Sequence, residues 1–148
     1  MTFTFYVVDE RLMPPESALG TPQATPEAIV AAVRERGGRW SVVTAGVEHF
    51  ADAFETLDRF IGNEGFLPAL AFQGSPHHLL VEYPGDWNLG YFEASLAHHL
   101  SGAFRLQSAE IEEVFADKAE PVEAVYEGFL SALEEADERG FAVAILHG

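Results

Sequence analysis

The most constraining feature of this sequence is a long amphipathic stretch that stops at a glycine and is followed by an unbroken apolar run. The stretch begins near Pro121, and its apolar side chains recur at spacings of three and four residues. They are Val122, Val125, Tyr126, Phe129, Leu130 and Leu133. That spacing places them on one face of an α-helix, which has to be buried against another element. Gly140 ends the helix, and FAVAIL (141–146) predicts a last, buried strand.

Helix-start and helix-stop signals predict four more helices. Thr25 is a favourable N-cap, Pro26 suits the first helical position, and Gly37-Gly38 ends the helix that they begin. Apolar side chains at helical spacing predict a second helix over residues 47–61. The other predicted helices cover residues 89–100, ending at Gly102, and residues 108–116, which Ser108 caps.

Short apolar runs between these helices predict strands, and clusters of proline and glycine predict the connections. The predicted strands are 2–8, 40–45, 67–73, 78–83 and 141–146, with a loop at 9–25 and turns at 74–76 and 84–86. The sequence contains no internal repeat and no linker, so we predict a single α+β domain over residues 1–148. We expect a mixed sheet of about four to five strands flanked by about four to five helices.

The charge of the chain limits its partners. Its formal net charge is −16, from 24 acids and 8 bases. A field of that sign repels nucleic acid and anionic membranes and attracts basic proteins. Between Glu110 and Gly140 there are eleven acids and two bases, Lys118 and Arg139. Acidity that merely keeps the protein soluble is the simpler interpretation of this charge, and a basic protein is the partner that the charge would favour.

Several classes of protein are excluded by residues that are missing from the sequence. The chain has no cysteine, which excludes disulfides, thiol catalysis and cysteine-ligated metal sites. It has no run of 18 apolar residues that would span a membrane. Its first residues, MTFTFYVVDERL, lack the pattern of a signal peptide. We therefore expect a cytoplasmic protein.

Four of the six histidines form two adjacent pairs, His77-His78 and His98-His99. Zinc sites typically use two histidines four residues apart on one helix face, plus a third ligand. Adjacent histidines diverge by about 100° on a helix and face opposite sides of a strand, so neither pair binds a metal alone. A composite site remains open, and otherwise these histidines lie at the edge of the core. The candidate metal ligands are His77, His98 and Asp86, with Glu82 and Glu93 as alternative acids.

The segment PGDWNLGY (84–91) is predicted to be a loop that carries aromatic and polar side chains. Such a loop either forms a recognition patch or covers the end of the core. The patch would consist of Asp86, Trp87, Asn88 and Tyr91. The sequence contains no nucleophile elbow, P-loop or dinucleotide fingerprint, so we predict no catalytic residue and no cofactor.

Three stretches of the chain resemble the YfbM-like family of small bacterial proteins. They are DAFETLDRFIGNEGFLPALAFQG (52–74), GAFRLQSAEIEEV (102–114) and VYEGFLSALEEADERGFAVAIL (125–146). In the second stretch, Gly102, Arg105, Ser108 and Val114 take the places of the family's step into a helix, with Glu112 beside the motif acid. The resemblance covers residues 47–148 and implies an α+β domain with a mixed sheet flanked by helices. It implies no activity and no catalytic residue.

These observations lead to hypotheses from different classes. We expect a small acidic cytoplasmic bacterial protein that binds a basic protein, such as a toxin, and that is not an enzyme. The alternative is a metal-dependent hydrolase or small-ligand-binding domain that uses the His77/His78 and His98/His99 region. A third hypothesis is a purely structural or regulatory subunit. The oligomeric state is left open by all three.

Overall fold

The structure is a computed structural model of the chain, and it describes residues 2–12, 26–61, 81–83 and 86–147. Five α-helices lie in these ranges. They are α1 (Pro26–Arg36), α2 (Val47–Ile61), α3 (Ala94–Leu106), α4 (Ser108–Ala116) and α5 (Glu120–Arg139). A short 3-10 helix, Glu10–Leu12, follows the first strand.

The strands are β1 (Thr2–Val8), β2 (Gly38–Thr44), β3 (Val81–Tyr83), β4 (Asp86–Phe92) and β5 (Ala142–His147). Their order in the sheet is β2-β1-β5-β4-β3, and every described pair is antiparallel. The predicted α+β class is confirmed, but the sheet that the described strands form is antiparallel and not mixed as predicted. A buried apolar run such as FAVAIL is compatible with either strand direction, so the sequence contains no signal for parallel pairing.

Most helix boundaries follow the sequence signals. The helices over 47–61 and 108–116 begin and end where they were predicted. Helix α1 begins at Pro26, and α5 begins one residue before Pro121. Gly140 closes α5 in the left-handed conformation with φ 72°, which a residue without a Cβ adopts without strain.

The predicted helix over 89–100 is wrong at its start and at its end. Residues 86–92 form strand β4 instead, and α3 begins at Ala94, whose backbone N–H donates to Glu10 Oε1 at 2.9 Å. Phe92 and Leu100 are both fully buried, and their spacing of eight imitates one helical face although Phe92 belongs to the strand. Gly102 does not end α3, because the helix continues to Leu106.

Residues 84–91 were predicted to form a loop that opens with a turn at 84–86, and this is wrong from Asp86 onward, whereas 84–85 lie outside the described residues. Asp86, Trp87, Asn88 and Tyr91 lie on β4, which pairs with β3 on one side and with β5 on the other. The predicted strand at 67–73 and the turn at 74–76 lie outside the described residues, as does 13–25 of the predicted loop. Of the predicted strand 78–83, the structure describes 81–83, which form β3.

The core lies between one face of the sheet and helices α2, α3 and α5. Phe3, Phe5 and Val7 alternate along β1 and turn the same face inward, as a two-residue strand period requires. Phe129 of α5 is fully buried at the centre of this core. Its ring lies 4.8 Å from Phe54, 5.1 Å from Phe92, 6.2 Å from Phe5 and 6.3 Å from Phe104 between ring centroids. Rings from two strands and two other helices therefore converge on α5.

A glycine lets α5 approach the sheet closely. A Cβ atom at Gly128 would lie 2.9 Å from Val43 Cγ2 and 3.3 Å from Phe5 Cε2. Both neighbours are buried side chains on the facing strands. Close packing of the longest helix against β1 and β2 therefore requires a residue without a side chain at position 128.

Among the described helices, none combines the length and the apolarity that crossing a bilayer requires.

Candidate functional site

Helices α4 and α5 carry a continuous run of acids, which we call the acidic face. Eleven acids lie between Glu110 and Glu138, and eight of them are exposed. The exposed acids are Glu110, Glu112, Glu113, Asp117, Glu120, Glu127, Glu134 and Glu138. The amphipathic pattern causes this arrangement, because the apolar stripe of α5 turns into the core and the acids occupy the remaining positions.

The two bases of this segment are both occupied by carboxylates. Lys118 Nζ lies 2.9 Å from Asp52 Oδ1 on α2, and Arg139 Nε lies 2.6 Å from Glu135 Oε1 one turn earlier on α5. The ion pair with Lys118 is the main reason why the pKa of Asp52 lies below its ordinary value. Within the described residues, none of the exposed acids of the acidic face forms an ion pair, so their charge is available to a partner.

A groove of about 200 Å³ lies between α4 and α5, and we call it the acidic groove. Glu112, Glu123 and Glu127 line it together with the rings of Phe115 and Tyr126. These two rings are stacked with their centroids 4.2 Å apart and an interplanar angle of 8°. Three carboxylates therefore surround a rigid aromatic floor.

Tyr126 contributes a neutral surface to the acidic groove. Burial raises the pKa of its phenol to about 12, and the negative charges of Glu112, Glu134 and Glu127 act in the same direction. The phenol therefore keeps its proton at neutral pH. The groove combines an uncharged aromatic floor with a negative rim.

A lysine or arginine side chain matches this chemistry. Phe115 and Tyr126 are almost fully buried, so its methylene stem would lie against Ala116 and Leu130, which also line the groove, and its charged end would reach the glutamates. The dimensions of the groove suit one such side chain.

A second polar cluster joins α3 to α5. His98 Nδ1 lies 2.5 Å from Asp137 Oδ1, and Arg105 Nη2 donates to Asp137 Oδ2 at 3.4 Å. The hydrogen bond from His98 is the main cause of the lowered pKa of Asp137, and Ser101 and Arg105 add to it. Because Arg105 already balances the charge of Asp137, this cluster has the character of a link between helices and not of a cation site.

The residues predicted to bind a metal are only partly described. His98 is 80% exposed and is engaged by Asp137, His99 is exposed, and Asp86 begins β4. His77 and His78 lie outside the described residues. Across 2–12, 26–61, 81–83 and 86–147, no three histidine or acidic residues come together as a metal-binding group. A composite site that includes His77 stays a prediction.

A larger groove of about 470 Å³ lies where the end of α1, the start of β2 and the end of α5 meet. We call it the arginine groove, because Arg36, Arg39 and Arg139 line it from these three elements. Trp40 and Phe141 contribute aromatic surface to the same groove.

Comparison of the chain with protein-family models, with curated proteins and with solved structures finds no match. The resemblance to the YfbM-like family therefore stays a prediction.

Reasoning from the sequence located the acidic face but missed both grooves. The acidic groove depends on Phe115 of α4 meeting Tyr126 of α5, and the sequence contains no signal for which two helices will touch. A cluster of arginines in the sequence does indicate the arginine groove. Arg34, Arg36 and Arg39 are three of the eight bases and fall within six residues of a strongly acidic chain.

Proposed function

We propose that this chain is a small, non-enzymatic binding protein, that its partner is a basic protein, and that the acidic groove is the anchoring point. The acidic groove carries the proposal, because three glutamates around a rigid aromatic floor fit one cationic side chain of a partner. The proposal includes a bacterial cytoplasm as the setting and membership of the YfbM-like family, both of which come from sequence patterns alone.

Binding would proceed through two physical contributions. The net charge of −16 accelerates the approach of a basic partner, and this contribution falls as salt screens the field. A lysine or arginine of the partner then enters the acidic groove, where its stem displaces water from Ala116 and Leu130. The first contribution depends on total charge, whereas the second depends on Glu112, Glu123 and Glu127 in particular.

A matched pair of variants separates these contributions. The groove variant carries Glu112→Gln, Glu123→Gln and Glu127→Gln. The control variant carries Glu35→Gln, Glu48→Gln and Glu55→Gln, which are exposed acids on α1 and α2. Both variants lose the same three charges, so long-range attraction changes equally.

The probe is a fluorescein-labelled arginine-rich peptide, titrated by fluorescence anisotropy at low and at physiological salt. We expect the groove variant to bind it about tenfold more weakly than the control variant, since loss of close charged contacts costs about 1.5–3 kcal/mol. Equal weakening in both variants would show that only net charge matters and would reject the groove as the anchor. Absence of peptide binding to the unmodified protein at low salt would reject the proposal as a whole.

A further inference from the structure

The arginine groove carries positive charge that is left over after its ion pairs are counted. Glu135 is engaged by Arg139, and Asp9 accepts hydrogen bonds from Arg11 Nε at 3.0 Å and Arg11 Nη2 at 2.8 Å. Among the described residues that line the groove, the two carboxylates are therefore neutralised by their own arginines.

Within the described residues, Arg36 and Arg39 form no ion pair with an acid. Arg36 Nη1 donates to the backbone carbonyl of Leu12 at 2.8 Å, which fixes the guanidinium without cancelling its charge. Arg39 is exposed on β2 and forms no ion pair with any acid of the described residues. Two uncompensated guanidinium groups thus face one groove in a protein whose net charge is −16.

The same groove holds a fixed aromatic surface. Trp40 is the extra residue of a β-bulge, because Phe5 pairs with Ser41 and Tyr6 pairs with Arg39. Its indole Nε1–H donates to Ser131 Oγ on α5 at 2.8 Å, and its side chain stays 45% exposed. A tryptophan whose orientation is fixed and whose ring remains accessible is suited to stacking on a flat ligand.

We propose that the arginine groove binds a small aromatic anion. The flat ring system of the ligand stacks on Trp40, and its phosphate or carboxylate is held by Arg36 and Arg39. Guanidinium groups are planar forks that match both anions with paired hydrogen bonds. The volume of about 470 Å³ lies within the range of small-molecule sites and fits a mononucleotide.

This site is independent of the acidic groove and of the basic partner. The overall negative field repels a free anion, so anion binding requires the local excess of guanidinium charge. Binding that survives the loss of Arg39 could not come from the arginine groove.

The test uses the full chain and adenosine monophosphate as the first probe. Isothermal titration calorimetry gives the affinity, and the ¹H–¹⁵N resonance of the Trp40 indole reports contact at the groove. That resonance is assigned by its loss in Trp40→Phe. Inorganic phosphate, adenosine and indole-3-acetate are titrated in parallel, which separates a phosphate ligand from a carboxylate ligand and each from a ring alone.

We expect adenosine monophosphate or indole-3-acetate to bind and to shift the Trp40 resonance. Arg36→Gln and Arg39→Gln should each weaken that binding by about tenfold or more, as expected for loss of a charge-assisted contact. Arg34→Gln is the matched control, because Arg34 is exposed on the same helix as Arg36 but does not line the groove. It should change the affinity by less than about twofold.

Three outcomes would overturn the inference. One is that neither aromatic anion binds up to about 10 mM, which is weaker than most specific small-molecule sites. Another is that Arg39→Gln weakens binding no more than Arg34→Gln. The last is that inorganic phosphate binds as tightly as adenosine monophosphate, which would leave Trp40 without a role. None of these readings depends on Glu112, Glu123 or Glu127, so failure here does not affect the proposed capture of a basic protein.

Discussion

At the scale of single residues, Asp137 is an acid whose protonation state is tied to the contact between α3 and α5. Its side chain is 15% exposed and its pKa is lowered, first by the hydrogen bond from His98. A carboxyl whose pKa is lower in the folded than in the unfolded chain stabilises the fold above the unfolded value, near 4. That stabilisation disappears as pH falls through the lower folded value.

Asp137→Asn should therefore lower the free energy of unfolding by about 1 kcal/mol at pH 7, and this deficit should shrink as the pH falls below the ordinary carboxyl value towards the lower folded pKa. Urea unfolding at pH 7 and at successively lower pH measures the deficit. Asp117→Asn is the control, because Asp117 is exposed and forms no ion pair within the described chain. If the deficit for Asp137→Asn is the same at low pH as at pH 7, the ionised carboxylate of Asp137 is not the source of the stabilisation.

At the scale of elements, the contact of α5 with β1 and β2 depends on Gly128. Replacing a helical glycine with alanine normally stabilises a helix by about 0.5–1 kcal/mol. At position 128 the new Cβ would lie 2.9 Å from Val43 Cγ2, so we expect Gly128→Ala to destabilise the fold by about 1–3 kcal/mol instead.

Gly102→Ala is the control for the Gly128 prediction. It lies inside α3, and a Cβ there would meet nothing within 4 Å. Gly102→Ala should raise the free energy of unfolding by about 0.5–1 kcal/mol, as this replacement normally does in a helix. Thermal unfolding of both variants decides the point, and stabilisation by both would show that α5 has room to move away from the sheet.

The elements that the sequence predicted well are those with both a periodic face and a terminal signal. Helix α5 has an apolar stripe and Gly140, and α2 has phenylalanines at helical spacing. The error at residues 86–92 arose where Phe92 of a strand and Leu100 of a helix happened to share a spacing. Local periodicity could not separate them, because the strand is defined in part by its pairing with β5, which lies far along the sequence.

At the scale of the whole molecule, self-repulsion among 24 acids opposes compaction. Salt at 0.1 M screens interactions between charges that are more than about 10 Å apart. Because acids outnumber bases in this protein, salt should weaken repulsion more than attraction. We expect Tm to rise by a few degrees (about 2–5 °C) between low and 0.2 M NaCl. Differential scanning calorimetry measures the change.

The groove variant described above should respond less to salt, because it carries three fewer negative charges. Sucrose at matched osmolality controls for general effects of solutes. A Tm that is constant or falls with NaCl would mean that ion pairs outweigh repulsion.

Sites are harder to predict from sequence than elements, because they are defined by neighbours that are distant along the chain. The two adjacent histidine pairs left a composite metal site open, yet His98 pairs with Asp137, 39 residues away. The acidic face could be predicted from the sequence, because it depends only on the amphipathic pattern of the helices. The arginine groove needs the ends of α1 and α5 and the start of β2 to meet, and only the fold decides that.

The bulge at Trp40 has a consequence for how copies of this chain behave at high concentration. Among the described strands, β2 ends the sheet order on one side, and a regular end strand is a template on which another molecule's strand can grow. The bulge at Trp40 interrupts the hydrogen-bond ladder of β2, and the indole of Trp40 is hydrogen-bonded to Ser131 of α5. The backbone N–H and C=O groups of β2 would therefore not align with those of an incoming strand. The bulge that exposes Trp40 thus also protects the protein against fibre-like stacking.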